Sequence, residues 1–220
     1  MTTTLVTGAN RGIGLEFALQ LRGRGDRVIA VCRNSSEELD SLGAQVIAGI
    51  DLSQEGAERQ LRERLGDTPI DIMIANAGVL AHDALDHLDF AKLQKQFEVN
   101  ALGTLRSVQA VLPNLKKGSK IGLITSRMGS IADNSSGGYY GYRMSKAALN
   151  AAGMSLARDL KERGIAVAIL HPGYVRTGMT GNQGGIEPSV AAFQLLTRID
   201  ALTLETSGTF WHANGEVLPW

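Results

Sequence analysis

Tyr142 and Lys146 are the two residues whose types and spacing most directly suggest chemistry. They lie four positions apart in a segment with helical spacing, so their side chains share one face and can meet. A tyrosine hydroxyl has an ordinary pKa of about 10, and a neighbouring ammonium group lowers it toward the range in which a proton passes efficiently to a carbonyl oxygen. The spacing predicts a proton-transfer pair, although an isolated Tyr-x-x-x-Lys motif is most often a coincidence on an exposed helix.

Residues at the ends of predicted strands support this pair. Ser126 follows a strand predicted at 120–125, and Asn76 and Gly78 follow the strand before it. Because ligands of doubly wound sheets bind at the carboxyl ends of the strands, the Ser126 hydroxyl is expected to orient a substrate carbonyl oxygen. Ser130 is a second candidate for that role and ranks lower, since it lies further beyond the strand end.

The spacing leaves the interpretation of three other features open. Asn100 lies within a predicted long helix, where an amide competes for backbone hydrogen bonds, so it is either a site residue or an exposed helical residue. His171 follows a predicted strand and could touch substrate, although packing or capping is favoured. The segment from Gly178 to Val190 contains four glycines and is a candidate lid over an open pocket.

A glycine-rich turn follows the first predicted strand directly. Positions 7–14 have the sequence TGANRGIG, whose glycines would let the chain turn sharply, approach a diphosphate closely and seat the next helix on the sheet. The amino terminus of that helix presents free amides and a partial positive charge to the diphosphate. The turn therefore predicts dinucleotide binding, with a purely structural strand-to-helix turn as the alternative.

The end of the second predicted strand bears on the choice of nucleotide. NAD-binding proteins normally place a carboxylate there to hold the adenosine ribose, whereas this chain has Cys32, Arg33 and Asn34. Arg33 offers a planar fork of donors suited to a 2′-phosphate, and Arg11 in the glycine turn can add a second cationic contact. We expect NADP(H) to be preferred over NAD(H), unless both arginines are simply solvated surface residues.

The composition is that of a globular chain without electrostatic bias. The 220 residues are 44% hydrophobic, and 22 basic residues balance 22 acidic ones. Because Lys and Arg are scattered without interleaved aromatic residues, nucleic acid is not an expected partner. The single cysteine fits a reducing compartment, the amino terminus lacks the features of a secretory signal, and no apolar run is long enough to span a membrane. We predict a cytoplasmic location, no membrane contact and no metal site.

Short apolar runs rich in Val, Ile and Leu predict buried parallel strands, and the segments between them have helical spacing. This alternation is typical of a doubly wound α/β sheet, and the length suits a single dinucleotide-binding and catalytic domain over residues 1–220. Strands are expected at 2–6, 28–32, 45–50, 70–75, 120–125 and 165–170, and helices at 13–23, 54–65, 88–112 and 141–162.

These motifs together resemble the short-chain dehydrogenase/reductase family over the whole length of the chain. The turn Thr7-Gly8-x-x-x-Gly12-x-Gly14 is similar to its cofactor turn. By this resemblance the catalytic tetrad is Asn100, Ser126, Tyr142 and Lys146. The cofactor-binding residues would be Gly8, Asn10, Arg11, Gly12, Ile13, Gly14, Arg33, Asp51, Leu52, Asn76, Ala77, Gly78, Tyr142, Lys146, Pro172, Gly173, Val175 and Thr177.

The resemblance implies a Rossmann fold with about seven parallel strands and an NADP(H)-dependent oxidoreductase, most closely a carbonyl reductase. Tyr142 would donate the proton in reduction and accept it in oxidation, and Lys146 would bind the nicotinamide ribose and lower the pKa of Tyr142. Ser126 would position the carbonyl, while Asn100 would hold a water molecule near Lys146. The segment from Pro172 to Thr177 would hold the nicotinamide carboxamide.

A narrower resemblance points to the C-factor and sniffer-type carbonyl reductase subgroup. It is carried by the short chain, by the tail Trp211–Trp220, and by the sequences around Ser126 and Tyr142. Members of the broader family pair through helices that correspond to 88–112 and 141–162, so a homodimer or homotetramer is implied. Small residues on the second of these helices fit a close interface, or equally close packing on the sheet.

Two alternatives and one departure accompany the resemblance. The chain could be a nucleotide-binding signalling or regulatory protein of the C-factor type with little or no turnover, against which the complete tetrad argues. It could also be an isomerase or epimerase using transient oxidation, but such enzymes usually carry a larger substrate domain. Ala75 stands where the family commonly has an asparagine, so one side chain of that motif is missing.

Overall fold

A computed structural model describes all 220 residues and has a seven-stranded parallel sheet at its centre. The strands are β1 Thr3–Thr7, β2 Arg27–Val31, β3 Gln45–Ile47, β4 Ile70–Ala75, β5 Leu115–Ile124, β6 Ala166–His171 and β7 Phe210–His212. Their spatial order is β3-β2-β1-β4-β5-β6-β7, and every neighbouring pair is parallel. The predicted doubly wound Rossmann fold is therefore confirmed.

Helices cover both faces of the sheet. They are α1 Gly12–Gly23, α2 Glu37–Asp40, α3 Ala57–Leu65, α4 Phe90–Phe97, α5 Gly103–Val111, α6 Tyr140–Asp159 and α7 Pro188–Asp200. One buried apolar cluster joins α1 and α7 to the sheet, with Phe17 and Leu196 fully buried. A second joins α3, α5 and α6 to the other face through residues such as Leu61 and Leu149. Covering both faces excludes water from the parallel strands. None of the helices combines the length and apolar character needed to cross a membrane.

Some elements differ from the sequence prediction. The helix predicted from residue 54 begins at Ala57, because Gly56 before it adopts a left-handed conformation with φ 82°. Neither β7 nor α7 was predicted as a segment. β7 has three residues, too few for a periodic signal, and α7 opens with Pro188 inside the segment predicted as a candidate lid.

The helix predicted at 88–112 is divided by a π-helical turn, Glu98–Leu102, which joins α4 to α5. Such turns hold one extra residue and are frequent at functional sites. Asn100 lies at the centre of this turn. The fold thus gives Asn100 a different setting from the regular helix that the spacing predicted.

The strand order reverses around β1, which pairs with β2 on one side and with β4 on the other. Chain connections leave a reversal point in opposite directions, which opens a crevice at the carboxyl ends of the strands. The glycine turn after β1, residues 32–34 after β2 and residues 76–78 after β4 all lie at this edge. The sheet topology therefore brings the predicted cofactor motifs together.

Candidate active site

A cleft with a volume of about 370 Å³ lies along the carboxyl ends of β1, β2 and β4. Most of the predicted cofactor residues line it, namely Gly8, Asn10, Arg11, Gly12, Ile13, Gly14, Arg33, Asp51, Leu52, Asn76, Ala77, Gly78 and Thr177. The walls also contain Val31, Cys32, Asn34, Ile50, Ser53, Val79, Val99, Gly178 and Met179, which were not predicted as site residues. Gly178 and Met179 belong to the segment predicted as a candidate lid, whereas Val99 is marked only by its position next to Asn100.

Two positions of the glycine turn, Gly8 and Gly14, have no space for a side chain. A Cβ atom on Gly14 would overlap the Gly8 carbonyl oxygen and lie 2.6 Å from Asn76 Nδ2. Gly8 has φ 66°, in the left-handed region that favours glycine. The cleft therefore presents bare backbone and the start of α1, which is the surface that a diphosphate group needs.

Asn76 ties this wall to the neighbouring strand. Its Nδ2 donates to Thr7 O at 3.1 Å and to Gly8 O at 3.3 Å. In return, Thr7 Oγ1 accepts from the backbone amides of Asn76 at 3.0 Å and Ala77 at 3.1 Å. The missing asparagine at Ala75 leaves these bonds intact.

The end of the cleft next to β2 is positively charged. Arg11 and Arg33 are exposed, both line the cleft, and neither forms an ion pair within the protein. The Asp51 carboxylate accepts from Ser53 N at 3.0 Å and from Ser53 Oγ at 2.7 Å. Burial acts to raise the pKa of Asp51. The hydrogen bonds from Ser53 and the positive charges of Lys95 and Arg33 outweigh burial, so the pKa of Asp51 is lowered. The two arginines remain available for an anionic ligand.

Tyr142 lies near the start of α6 and is only 8% exposed. Burial raises the pKa of Tyr142 to about 12, and a hydrogen bond with the Ser126 side chain acts in the opposite direction. Lys146 Nζ lies over the ring, 5.7 Å from its centroid, but it does not bring the pKa of Tyr142 below its ordinary value, because desolvation dominates. The sequence prediction for the direction of this shift was therefore wrong: desolvation outweighs the nearby cation.

Lys146 is buried beside the cleft. Its Nζ donates to Ile124 O at 2.9 Å, at the carboxyl end of β5. A Cβ on Gly78 would lie 3.7 Å from Lys146 Nζ and 3.3 Å from Asn100 Oδ1, so the glycine leaves this corner open. Burial lowers the pKa of Lys146 to about 8. The ammonium group thus lies between the first turns of α6, which carry Tyr142, and the cleft wall.

Asn100 is completely buried, so the alternative of an exposed helical residue is wrong. Its Oδ1 accepts from Val79 N at 2.8 Å, and its Nδ2 donates to Val79 O at 2.9 Å and to Ser145 Oγ at 2.9 Å. Ser145 Oγ donates to Tyr142 O at 2.8 Å. The amide of Asn100 therefore joins the segment after β4 to the first turns of α6.

Ser126 and Ser130 differ in what they contact. Ser126 begins the short 3₁₀ turn at 127–129, where its Oγ accepts from Met128 N at 3.1 Å, and it is the serine that interacts with Tyr142. Ser130 Oγ accepts from Asp133 N at 3.0 Å within its own loop. The geometry agrees with ranking Ser126 first.

Only part of the segment predicted to hold the nicotinamide carboxamide, Pro172 to Thr177, lines the cleft. Thr177 lines it, whereas Pro172, Gly173 and Val175 do not. Val175 is 3% exposed and pairs with Ile186, so it packs within its own loop. Tyr142 and Lys146 also lie outside the cleft lining, on the neighbouring face of α6.

His171 packs against a second histidine near this edge. Its ring meets the His212 ring edge-on at 5.0 Å, and burial lowers the pKa of His171 to about 3. His171 is therefore neutral, as the favoured packing role requires.

In the candidate lid from Gly178 to Val190, residues 178–180 form a 3₁₀ turn and α7 begins at Pro188.

The sheet reversal, the glycine-lined cleft and the buried Tyr142 together define the class of dinucleotide-binding oxidoreductases. Residues 2–185 match the family model described as short chain dehydrogenase. The chain therefore belongs to the short-chain dehydrogenase/reductase family, and the resemblance seen in the sequence is confirmed.

Sequence relatives and solved structures show which members of that family this chain is similar to. The chain is 42% identical to 1-hydroxy-2-glutathionyl-2-methyl-3-butene dehydrogenase of Rhodococcus sp. (strain AD45), over 100% of both proteins. It is 43% identical to C-signal of Myxococcus xanthus, over 69% of this chain and 93% of that protein.

The structure of carbonyl reductase Sniffer of D. melanogaster matches with a TM-score of 0.90 at 28% identity, over 100% of both chains. NADPH bound carbonyl reductase from chicken fatty liver matches with a TM-score of 0.88 at 28% identity, over 100% of this chain and 99% of that one. The predicted C-factor and sniffer-type subgroup is confirmed.

Proposed function

We propose that residues 1–220 form one dinucleotide-binding and catalytic domain that transfers a hydride between NADP(H) and a carbonyl or alcohol substrate, chiefly as a carbonyl reductase. One observation carries the proposal. The hydroxyl of Tyr142 is buried next to Ser126, at the sheet edge where Lys146 borders the dinucleotide cleft. Proton donor, carbonyl-orienting hydroxyl and cofactor cleft are therefore adjacent.

The preference for NADP(H) is supported by charge at the adenosine end of the cleft. Arg11 and Arg33 are exposed cations without protein partners, and no carboxylate follows β2. The Asp51 carboxylate, which follows β3 rather than β2, accepts hydrogen bonds from Ser53 N and Ser53 Oγ. The similar carbonyl reductase from chicken fatty liver is an NADPH bound structure.

The residues of the chain account for the proton in the reaction. When bound, the nicotinamide supplies the hydride that the carbonyl carbon takes up. With a pKa of about 12, Tyr142 is protonated at neutral pH and can donate its proton to the carbonyl oxygen, so that an alcohol forms. The Lys146 ammonium near the ring stabilises the tyrosinate that remains. Ser126 offers a hydrogen bond that holds the oxygen in place.

The remaining site residues take supporting roles in this proposal. Asn100 fixes the backbone of Val79 and the side chain of Ser145 beneath the catalytic face. The segment from Pro172 to Thr177 would hold the nicotinamide carboxamide, and its support is that Thr177 lines the cleft. The cytoplasmic location stays a prediction from the sequence.

A homodimer or homotetramer through helices 88–112 and 141–162 also remains a proposal. Large apolar side chains exposed on those helices support it. Phe90 is 74% exposed, Leu105 36% and Met144 55%. Contact between two copies would remove these side chains from water.

The direct test is absorbance of the reduced nicotinamide during reaction with aldehydes, ketones and diketones, using NADPH and NADH in parallel. Tyr142→Phe should lower the rate about 10²- to 10⁴-fold, as expected for loss of a general acid, while NADPH affinity changes little. Tyr140→Phe is the matched control, because Tyr140 lies on the same helix and has Met144 four positions on. Full activity of Tyr142→Phe, or no turnover of the unmodified protein with any substrate, would contradict the proposal.

The full-length match to the Rhodococcus dehydrogenase favours a second candidate, oxidation of an alcohol that carries a glutathionyl group. The same residues would act in reverse, with Tyr142 as the base. Its test is formation of reduced nicotinamide from 1-hydroxy-2-glutathionyl-2-methyl-3-butene with NADP⁺ or NAD⁺. If that alcohol gives no turnover in a preparation that reduces carbonyl compounds, the second candidate is excluded.

A further inference from the structure

Asp83 is a buried carboxylate that belongs to none of the predicted motifs. It is 5% exposed and lies between β4 and α4. Its carboxylate accepts hydrogen bonds from the backbone amides of Tyr140 and Gly141, the latter at 3.2 Å. Its backbone carbonyl accepts from Tyr139 N at 3.1 Å. These amides open α6, so a residue distant in sequence caps the helix that carries Tyr142.

The chain around Asp83 is fixed on its other side by α4 and the π turn. We call residues 79–83 the strap. Asn100 binds both backbone groups of Val79, and Gln96 Oε1 accepts from Ala81 N at 2.9 Å. Gln96 and Asn100 are 1% and 0% exposed. The strap therefore connects the buried side chains of Gln96 and Asn100 to the start of α6, so their positions help to fix that end of the helix.

The start of α6 needs an external restraint. Tyr139 precedes the helix in a left-handed conformation with φ 52°, which is unfavourable for a residue other than glycine. Gly137 and Gly138 before it also have positive φ values. No side-chain hydrogen bond from Tyr139 caps the helix. Without Asp83, the first amides of α6 would lose their acceptor next to a flexible pair of glycines.

We infer that Asp83 is a positioning residue for Tyr142, acting through the first turn of α6. Tyr142 follows Gly141 directly, so a shift of this turn moves the tyrosine hydroxyl relative to Ser126 and the substrate carbonyl. A misplacement of about 1 Å can cost about 10²-fold in rate. The inference rests on the proposed function, because it assumes that Tyr142 donates the proton.

The test compares Asp83→Asn and Asp83→Ala with Asp71→Asn. Asp71 is also a carboxylate that accepts a backbone amide, Thr3 N at 2.8 Å, but it lies at the amino end of β4, away from the site. Asp83→Ala should lower kcat about 10- to 100-fold and leave KM for NADPH within about twofold. Asp83→Asn keeps one acceptor oxygen, so its loss should be smaller, and Asp71→Asn should keep the kcat of the unmodified protein.

Amide hydrogen exchange measures the placement of α6 without turnover. We expect faster exchange at residues 140–143 in both Asp83 variants and no change there in Asp71→Asn. Normal kcat in the Asp83 variants overturns the inference, and so does unchanged exchange at 140–143. An equal fall of kcat in Asp71→Asn also overturns it. If Asp83→Ala does not fold, Asp83→Asn decides by the same two measurements.

Tyr142→Phe in the same series separates this inference from the proposed function. If Tyr142→Phe retains full turnover, the proposed function fails. If Tyr142→Phe is inactive while Asp83→Asn and Asp83→Ala are fully active, only the positioning role of Asp83 fails.

Discussion

The proposed cofactor cleft and the proposed catalytic face of α6, which carries Tyr142 and Lys146, are built in opposite ways. The cleft wall depends on missing side chains, since a Cβ on Gly14 would overlap Gly8 O. The catalytic face depends on buried polar side chains, with Asn100 bonded to Ser145 across 45 positions of sequence. The difference teaches that damage to the cleft should mainly weaken cofactor binding, whereas damage to the catalytic face should mainly slow the chemical step.

After Tyr142→Phe, the largest effect should come from Lys146→Met on the catalytic face. Removing the ammonium leaves the tyrosinate without its nearby cation, so we expect hydride transfer to slow by about 10²- to 10³-fold. Single-turnover absorbance measures this step, and NADPH affinity should fall less than the rate. Lys161→Met, an exposed change just beyond α6, is the control. A rate close to that of the unmodified protein would contradict the contrast between the two regions.

Gly14→Ala, in the cleft wall, should instead weaken the binding of NADPH. The added methyl group must displace Gly8 or Asn76, and overpacking of this kind costs about 1–3 kcal/mol. We expect NADPH affinity to fall about tenfold or more, with kcat at saturating NADPH close to normal. Gly23→Ala, at the other end of the same helix, has open space and should bind NADPH normally. Fluorescence titration decides between these outcomes, and equal affinities for the two variants would refute the steric argument.

Arg33→Ala should weaken the binding of NADPH to the cleft without weakening the binding of NADH. A charge-assisted hydrogen bond contributes about 1.5–3 kcal/mol, so an exposed Arg33 paired with the 2′-phosphate should account for about tenfold in NADPH affinity. NADH, which lacks that phosphate, should bind as before. Arg27→Ala at the opposite end of β2 is the control. Tighter binding of NADH than NADPH by the unmodified protein would remove the basis for this prediction.

A final prediction concerns folding stability rather than turnover or cofactor binding, and it depends on pH through the buried Lys146. Burial lowers its pKa from 10.5 to about 8, so between these values the unfolded chain binds more protons than the folded protein. Its unfavourable contribution is complete below pH 8 and should diminish by up to about 3 kcal/mol as the pH rises from 8 toward 10.5. Urea unfolding of the protein and of Lys146→Met at several pH values gives this difference. A difference independent of pH would mean that Lys146 is not desolvated.

The sequence was sufficient to predict what local patterns encode. Apolar runs predicted six of the strands, and the glycine turn predicted a binding site where the structure has a cleft lined by that turn. The spacing of Tyr142 and Lys146 identified the helix face that borders it. These signals are local because strand burial, turn conformation and helical periodicity each involve a few neighbouring residues.

Long-range packing limited what could be predicted. Asp83 and Gln96 have no local motif, since their partners lie 57 and 15 positions away. The burial of Asn100 follows from a π turn that helical spacing does not signal. The pKa of Tyr142 moves upward because of how completely the fold encloses it, a quantity that spacing between two residues does not contain.

The π turn at Glu98–Leu102 also has a consequence for how the chain tolerates changes in length. Deleting Ala101 would allow α4 and α5 to continue as one regular helix, the backbone geometry with the better local hydrogen bonds. Each residue in such a helix turns the chain by about 100°, so Asn100 could no longer face Val79 while α5 kept its own register. A shorter and more regular chain would thus lose its active-site support, which makes the irregular turn a constraint on permissible insertions and deletions in this protein.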